Sequence, residues 1–254
     1  MGIEIKTADE IAAMREAGMI VYEVLEKLEK LVEPGITLEE LDQAARRETE
    51  NRGATCAFMG LYGFPKHICI SVNDQVVHGI PGKRKLQEGD LVKLDHGAVV
   101  RGWYGDSART VAVGKISPEA EKLVEVTRES LEAGIQAMVV GNRVSDIGAA
   151  VEAVVSPHGY GIVRDYVGHG IGKRPHEDPQ VPNYGPALWG RGQPNPRLRA
   201  GLVLAVEPMI NVGTHETLTL GDGWTVVTKD GKYSAHFEHT IAVTENGPRV
   251  LTRP

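Results

Sequence analysis

The chain has no apolar run of about 18 or more residues, which excludes a membrane-spanning helix read from hydropathy. Its first ten residues, MGIEIKTADE, lack the apolar stretch of a secretory signal, and Lys6 breaks the myristoylation pattern. Cysteine is scarce: only Cys56 and Cys69 occur, and without an export signal both are expected as reduced thiols of a cytoplasmic protein. A positive balance is missing too. The formal net charge of −6 argues against a DNA or other nucleic-acid binder working through a broad basic face. No low-complexity linker divides the 254 residues, a length that suits one large α/β or α+β domain, or two small ones.

What is present is a faint internal repeat. Thr7 and Glu10 form a capping box before a stretch with helical apolar spacing, which Pro34-Gly35 is expected to end. Thr37 and Glu40 form a second box, opening a helix that runs towards Gly53. Ser117-Pro118 starts another long helix, ended by Gly141, and a shorter one runs towards Gly159. Gly35, Leu38, Glu40, Leu41 and Gly53 recur as Gly141, Val144, Asp146, Ile147 and Gly159 at a constant offset of 106. Strand-like segments follow in the same order: VHGI (77–80) and GHGI (168–171), GDLVKLD (89–95) and GLVLAVE (201–207), TVAV (110–113) and TIAV (240–243). The expected architecture is α+β: a helix pair plus antiparallel strands, twice over, about residues 1–116 and 117–254 of one domain. The strands would form one curved sheet with helices on its outer face, and the site would lie between the halves.

The repeated strands carry acids that strands disfavour. Asp95 and Glu207 end LVKLD and LVLAVE; Asp106 and Glu238 precede TVAV and TIAV by four and two residues, an even difference that keeps both on one face. Taken alone, each reads as a strand-end residue reaching water. Four at equivalent places converge on one cleft, where mutual repulsion would keep them from all ionising unaided. With His169 from the HGI repeat they are too many for one tetrahedral zinc. They suit two divalent ions roughly 3.5–4 Å apart, with Mn, Fe, Co and Zn all open. The glycines at 168, 170 and 172 before Lys173 could instead suggest a phosphate loop. That reading fails because Arg174 and Pro175 follow the lysine, where Ser/Thr and a helix are needed.

Six segments in order carry a closer resemblance: HGIP (78–81), LDHGAVVRGWYGDSA (94–108), GHGIG (168–172), PHEDPQVPN (175–183), VEPMIN (206–211) and FEHTIAV (237–243). Together with the 11-residue gap from Asp95 to Asp106, they make the chain resemble the type I methionine aminopeptidases, which have the pita-bread metallopeptidase fold. The resemblance covers essentially the whole chain. It implies removal of the initiator methionine from nascent chains whose second residue is small. It implies Asp95 on one metal, Asp106 and Glu238 bridging two, and His169 and Glu207 on the other. Glu207 is then also the proton shuttle, His78 contacts the scissile amide, and His176 stabilises the carbonyl oxygen as it becomes negative. The methionine pocket would include Phe58, Leu61, Phe64, Cys69, Pro175 and Trp224, all of which also read as ordinary core.

The sequence departs from that family in three places. Leu61 stands where many relatives have an aromatic, and Pro175 where they have Phe, so the pocket's shape is expected to differ. The stretch NYGPALWGRGQPNPRLRAG (183–201) is longer than expected and holds Arg191, Arg197 and Arg199. It reads either as a solvated loop or as a contact to ribosomal RNA through phosphate charge. Proline-directed peptidases of the same fold usually carry an extra N-terminal domain, and a binding protein that had lost catalysis should show gaps in the ligand set. Neither is expected here; a monomer is.

Overall fold

Two threonines and a serine decide where the first three helices begin. Thr7 and Thr37 accept the N3 amide with the side chain while Glu10 and Glu40 accept the N-cap amide in return, and Ser117 accepts from Ala120. The computed structural model, which describes residues 2–190 and 192–254, shows α1 (Ala8–Glu29), α2 (Leu38–Asn51), α3 (Pro118–Gln136) and α4 (Val144–Val155). α1 and α3 stop short of the glycines expected to end them. The chain leaves each helix early so that Gly35 and Gly141, at φ +98° and +96°, can dock their N–H groups onto Leu86 and Leu198 at 2.8 and 3.1 Å.

That pairing is one of a matched series. Leu86 N–H donates to Ile36 and Leu198 N–H to Asn142; Gly89 N–H donates to Val113 and Gly201 N–H to Val243. Each of these three bonds in the first half thus has a counterpart in the second. Leu198 is therefore a strut equivalent to Leu86, so the end of the 183–201 stretch is held to the body of the fold. Asn195 bonds Ser145 twice, at 3.0 Å to its amide and 2.9 Å to its hydroxyl, tying the stretch to the start of α4. Arg191, one of the three arginines expected to face RNA, lies outside the described residues, as does Met1.

The fold is α+β, but its curved sheet is built in pieces. A hairpin of Leu91–Val100 and Trp103–Ala112 pairs with Thr55–Cys56 and Cys69–Val72. A five-stranded sheet runs in the order Gly247–Val250, His239–Thr244, Val203–Val206, Gly168–Gly170, Glu177–Val181. An isolated bridge between Ala108 and Glu238 joins the two. Two three-stranded ladders complete the described strands, one centred on Met209–Asn211 and one on Val226–Thr228. The ladders break because several partner strands are only two or three residues long and end at turns.

α1 lies on the hairpin and buries Met14, Ala17, Gly18, Val21, Val24, Leu25 and Leu28, a single helical stripe. α3 and α4 pack together over the second sheet, with Leu131, Ile135, Val144 and Ile147 against Leu204, Val206 and Ile241. Gly18 lets α1 approach the C-terminal segment: an added Cβ would overlap the Leu251 carbonyl. Helix propensity alone favours alanine over glycine by about 1 kcal/mol. The overlap is with backbone and cannot be relieved by a rotamer change, so packing should win. Gly18→Ala is expected to lose about 1–3 kcal/mol in urea unfolding; a gain in stability would contradict this account.

Candidate metal centre and its cavity

Strand register decides which side chains meet. Residues directly opposite each other in an antiparallel pair face the same side, as do residues two apart on one strand. Ala108 is opposite Asp95 on one side and Glu238 on the other, and Asp106 is two residues before it. Those three acids therefore share a face. Ala205 is opposite His169 and Thr240, Glu207 is two residues after Ala205, and Glu238 is two before Thr240. The same face thus collects His169 and Glu207. Thr240 fastens the two sheets: its Oγ1 accepts from the Asp106 amide at 3.0 Å and donates to the Asp106 carbonyl at 2.8 Å. All four carboxylates and His169 line one cavity of about 650 Å³. Asp95 and Asp106 sit inside their strands rather than at strand ends.

The acids are in an environment that opposes their charge. Burial, then repulsion from Asp106, drives Asp95 well above the usual carboxylate range. Glu207 and Glu238 rise likewise, from burial first and then from the other carboxylates. Asp106 is pushed up to about 7 by burial, against the lowering effect of a bond to the Ser107 backbone. Among the described residues no Lys or Arg forms an ion pair with any of them. Asp95 Oδ1 and Asp106 Oδ1 are buried without a hydrogen-bond partner. Buried oxygens of this kind need a cation or a proton.

One imidazole is prepared for a cation. His169 Nδ1 donates to the Gly170 carbonyl at 3.0 Å, which fixes the tautomer and leaves Nε2 as the lone-pair nitrogen. Nε2 stands 3.4 Å from Glu207 Oε1. Burial, then His176, lowers the His169 pKa to about 3, so the ring is neutral. One ligand atom each from Asp106, His169 and Glu238 lie within 4.8 Å of one another, close enough to hold one ion. Unpartnered oxygens, a neutral imidazole and four mutually repelling carboxylates fit divalent cations.

His78 and His176 stand on the cavity wall. The HGI repeat does not give equal structures: His169 lies within a strand, whereas His78 leaves the Gln75–Val77 strand with a left-handed backbone, φ +58°. Burial, and secondarily His176, lowers the His78 pKa to about 4, and burial lowers that of His176. Both are neutral donors at pH 7, adding no positive charge beside a cation site.

Of the expected pocket residues, Phe58, Leu61, Phe64, Cys69 and Trp224 line the cavity, and they form a separate apolar cluster. The Phe64 and Trp224 rings meet edge-on at 5.2 Å. Both cysteines are free thiols. Pro175 stands apart from these five. It is buried outside the lining, while its neighbours Arg174 and His176 face the cavity. The chain curls just before it, where the Gly172 N–H donates to the Arg174 carbonyl.

Two residues of the site went unnoticed in the sequence. Tyr62, 73% exposed, stacks on His176 at 5.8 Å with its hydroxyl 3.4 Å from Nδ1. It sits in a turn at φ +50°, where no periodicity could predict its direction. His236, 1% exposed, has Nε2 3.8 Å from Glu207 Oε2 and no hydrogen bond from either nitrogen. Its signal was available: it precedes Glu238 by two residues in SAHFEHT, the spacing of one strand face.

Residues 12–245 match metallopeptidase family M24. The methionine aminopeptidase of Clostridium perfringens is 52% identical over 98% of both chains. The crystal structure of the methionine aminopeptidase from Thermotoga maritima superposes with a TM-score of 0.95 at 42% identity, covering 100% of both chains. A prolidase from Pyrococcus furiosus shares the fold alone, with a TM-score of 0.79 at 23% identity; this chain spans 65% of it. Matches of this extent, over a face that carries every expected ligand, mean that the chain belongs to metallopeptidase family M24, among its methionine aminopeptidases.

Proposed function

We propose that the protein removes the N-terminal methionine of nascent proteins whose second residue is small, by metal-dependent attack of water on the first peptide bond. One observation carries the reading: the ligand face opens directly into the apolar cluster of Phe58, Leu61, Phe64, Cys69 and Trp224. An unbranched thioether fits such walls. Asp95 would hold one divalent cation and His169 and Glu207 another, with Asp106 and Glu238 shared between them. Bound there, the cations supply Lewis acidity to the scissile carbonyl and to water.

The protein's own groups do the rest. Glu207, with its carboxylate between the imidazoles of His169 and His236, accepts the proton of the attacking water and passes it towards the leaving amine. His176 donates a hydrogen bond to the carbonyl oxygen as negative charge grows there, and Tyr62 stacks on that ring. His78 donates to the scissile amide; Tyr166 packs edge-on against it at 5.5 Å. Working as neutral donors, both histidines stabilise charge that develops only in the transition state. Substrates of this kind support a cytoplasmic protein, and the proposal takes it as a monomer with one catalytic domain of two pseudo-symmetric halves. The matched backbone bonds support the two halves.

The 183–201 stretch gives a further partner reading. Arg197 and Arg199 are exposed, and Arg197 bridges Arg143 at the start of α4, which is exposed as well. These cations suit ribosomal RNA phosphates near emerging chains. Replacing Arg197 and Arg199 with alanine should weaken ribosome co-sedimentation and leave peptide turnover intact; unchanged co-sedimentation would sink the idea.

Turnover of Met-Ala-Ser decides the main reading. The metal-loaded protein should cleave it and spare Xaa-Pro peptides, the reverse preference marking a proline-directed enzyme and no turnover a binding protein. His176→Ala should lower kcat about 10²–10³-fold, and Asp106→Asn should abolish activity. Stability offers an independent check. Carboxylates whose folded pKa is raised favour the folded state when protonated, so that contribution is present at pH 4 and lost as pH rises through about 7 for Asp106. Cations relieve the loss. Added Mn or Co should therefore raise the melting temperature more at pH 7.5 than at pH 5; an equal rise at both would count against cation binding by these acids.

A further inference from the structure

The segment before α1 is not a free tail. Gly2 to Ile5 are exposed, but Lys6 is buried, with 5% of its surface accessible. Its amide donates to the Gly201 carbonyl at 2.7 Å. Its Nζ lies 2.5 Å from Glu177 Oε2, in an ion pair whose side chains keep 3% and 1% exposure. Burying such a pair adds little net stability, because desolvation offsets the attraction. Its location matters more.

Glu177 directly follows His176. Its second oxygen, Oε1, accepts from the Arg174 amide at 3.2 Å, and the Gly172 amide donates to the Arg174 carbonyl at 3.2 Å. Glu177 also pairs with Gly170 in the ladder, beside the bulge that follows His169. Gly172 seals the packing: an added Cβ would stand 2.6 Å from Lys6 Cε and 2.8 Å from Glu177 Oε1. A second pair, Arg174 with Glu4 at 2.9 Å, ties the same turn to the same segment from outside. The N-terminal arm thus holds the 172–177 turn at Arg174 and Glu177 and packs against Gly172, and the turn carries the His176 ring into the cavity.

We propose that the N-terminal arm is part of the active site: Lys6 is a positioning residue that, through Glu177, sets where the His176 imidazole stands. The kinetic consequence rests on the reading of His176 as a donor to the substrate carbonyl; the structural consequence does not. Two measurements separate them. In Lys6→Met, the ¹⁵N–¹H signals of the His176 ring should shift or broaden, and Lys6→Arg should restore them. In the same variant kcat should fall about 10- to 100-fold with little change in KM, and should fall no further when Lys6→Met is added to His176→Ala. If Lys6→Met fails to fold, the doubly neutral Lys6→Met/Glu177→Met, which leaves no buried charge unpaired, takes the same tests. Unchanged His176 signals would overturn the proposal, as would an equal loss of kcat in the His176→Ala background. Full turnover by His176→Ala would instead remove the catalytic reading of that ring, while displaced signals would still uphold the positioning.

Discussion

Four carboxylates held on one buried face repel one another, and that repulsion is the constraint the rest of the molecule answers to. Burial raises all four pKa values, repulsion adds to it at Asp95, Glu207 and Glu238, and the charged forms work against the folded state. The scaffold that resists it is correspondingly redundant. Asp106 is pinned through Thr240 on the opposite sheet, Glu238 through its bridge to Ala108, and His169 through its own Nδ1. A one-residue slip of any of these strands would turn its ligand to the other side of the sheet. Large apolar clusters under α1 and under α3–α4 fix the register that prevents such a slip.

Much of this was legible in the sequence, because the rules involved are local. Capping boxes, glycines and even spacing between acids depend only on neighbouring residues, so the helix starts, the repeat and the common face of Asp106 and Glu238 could be read directly. The family resemblance added the outlying histidines. What could not be read depends on distant partners. α1 stops early because Gly35 must reach Leu86, far along the chain. Pro175 is buried in a short turn between two residues that line the cavity, and Tyr62 reaches His176 from a left-handed loop. Lys6 looked like an ordinary residue of a terminal segment; its buried partner is 171 positions away.

The two halves also show how a repeat becomes a site. Matching backbone bonds hold the halves alike, yet the HGI segments diverge. His169 remains in a strand and presents Nε2 to the acids, whereas His78 bends out at a positive φ and faces the cavity wall. In the proposed reaction, one motif in two backbone conformations would supply one ligand and one hydrogen-bond donor. The asymmetry would give the cavity a metal side and a substrate side.

Ala108 lies between Asp95 and Glu238 with only a methyl group on the ligand face. Its backbone is what joins them: one residue pairs with an acid-bearing strand of each half. The seam between two repeats is therefore one alanine wide at the place where their acids meet.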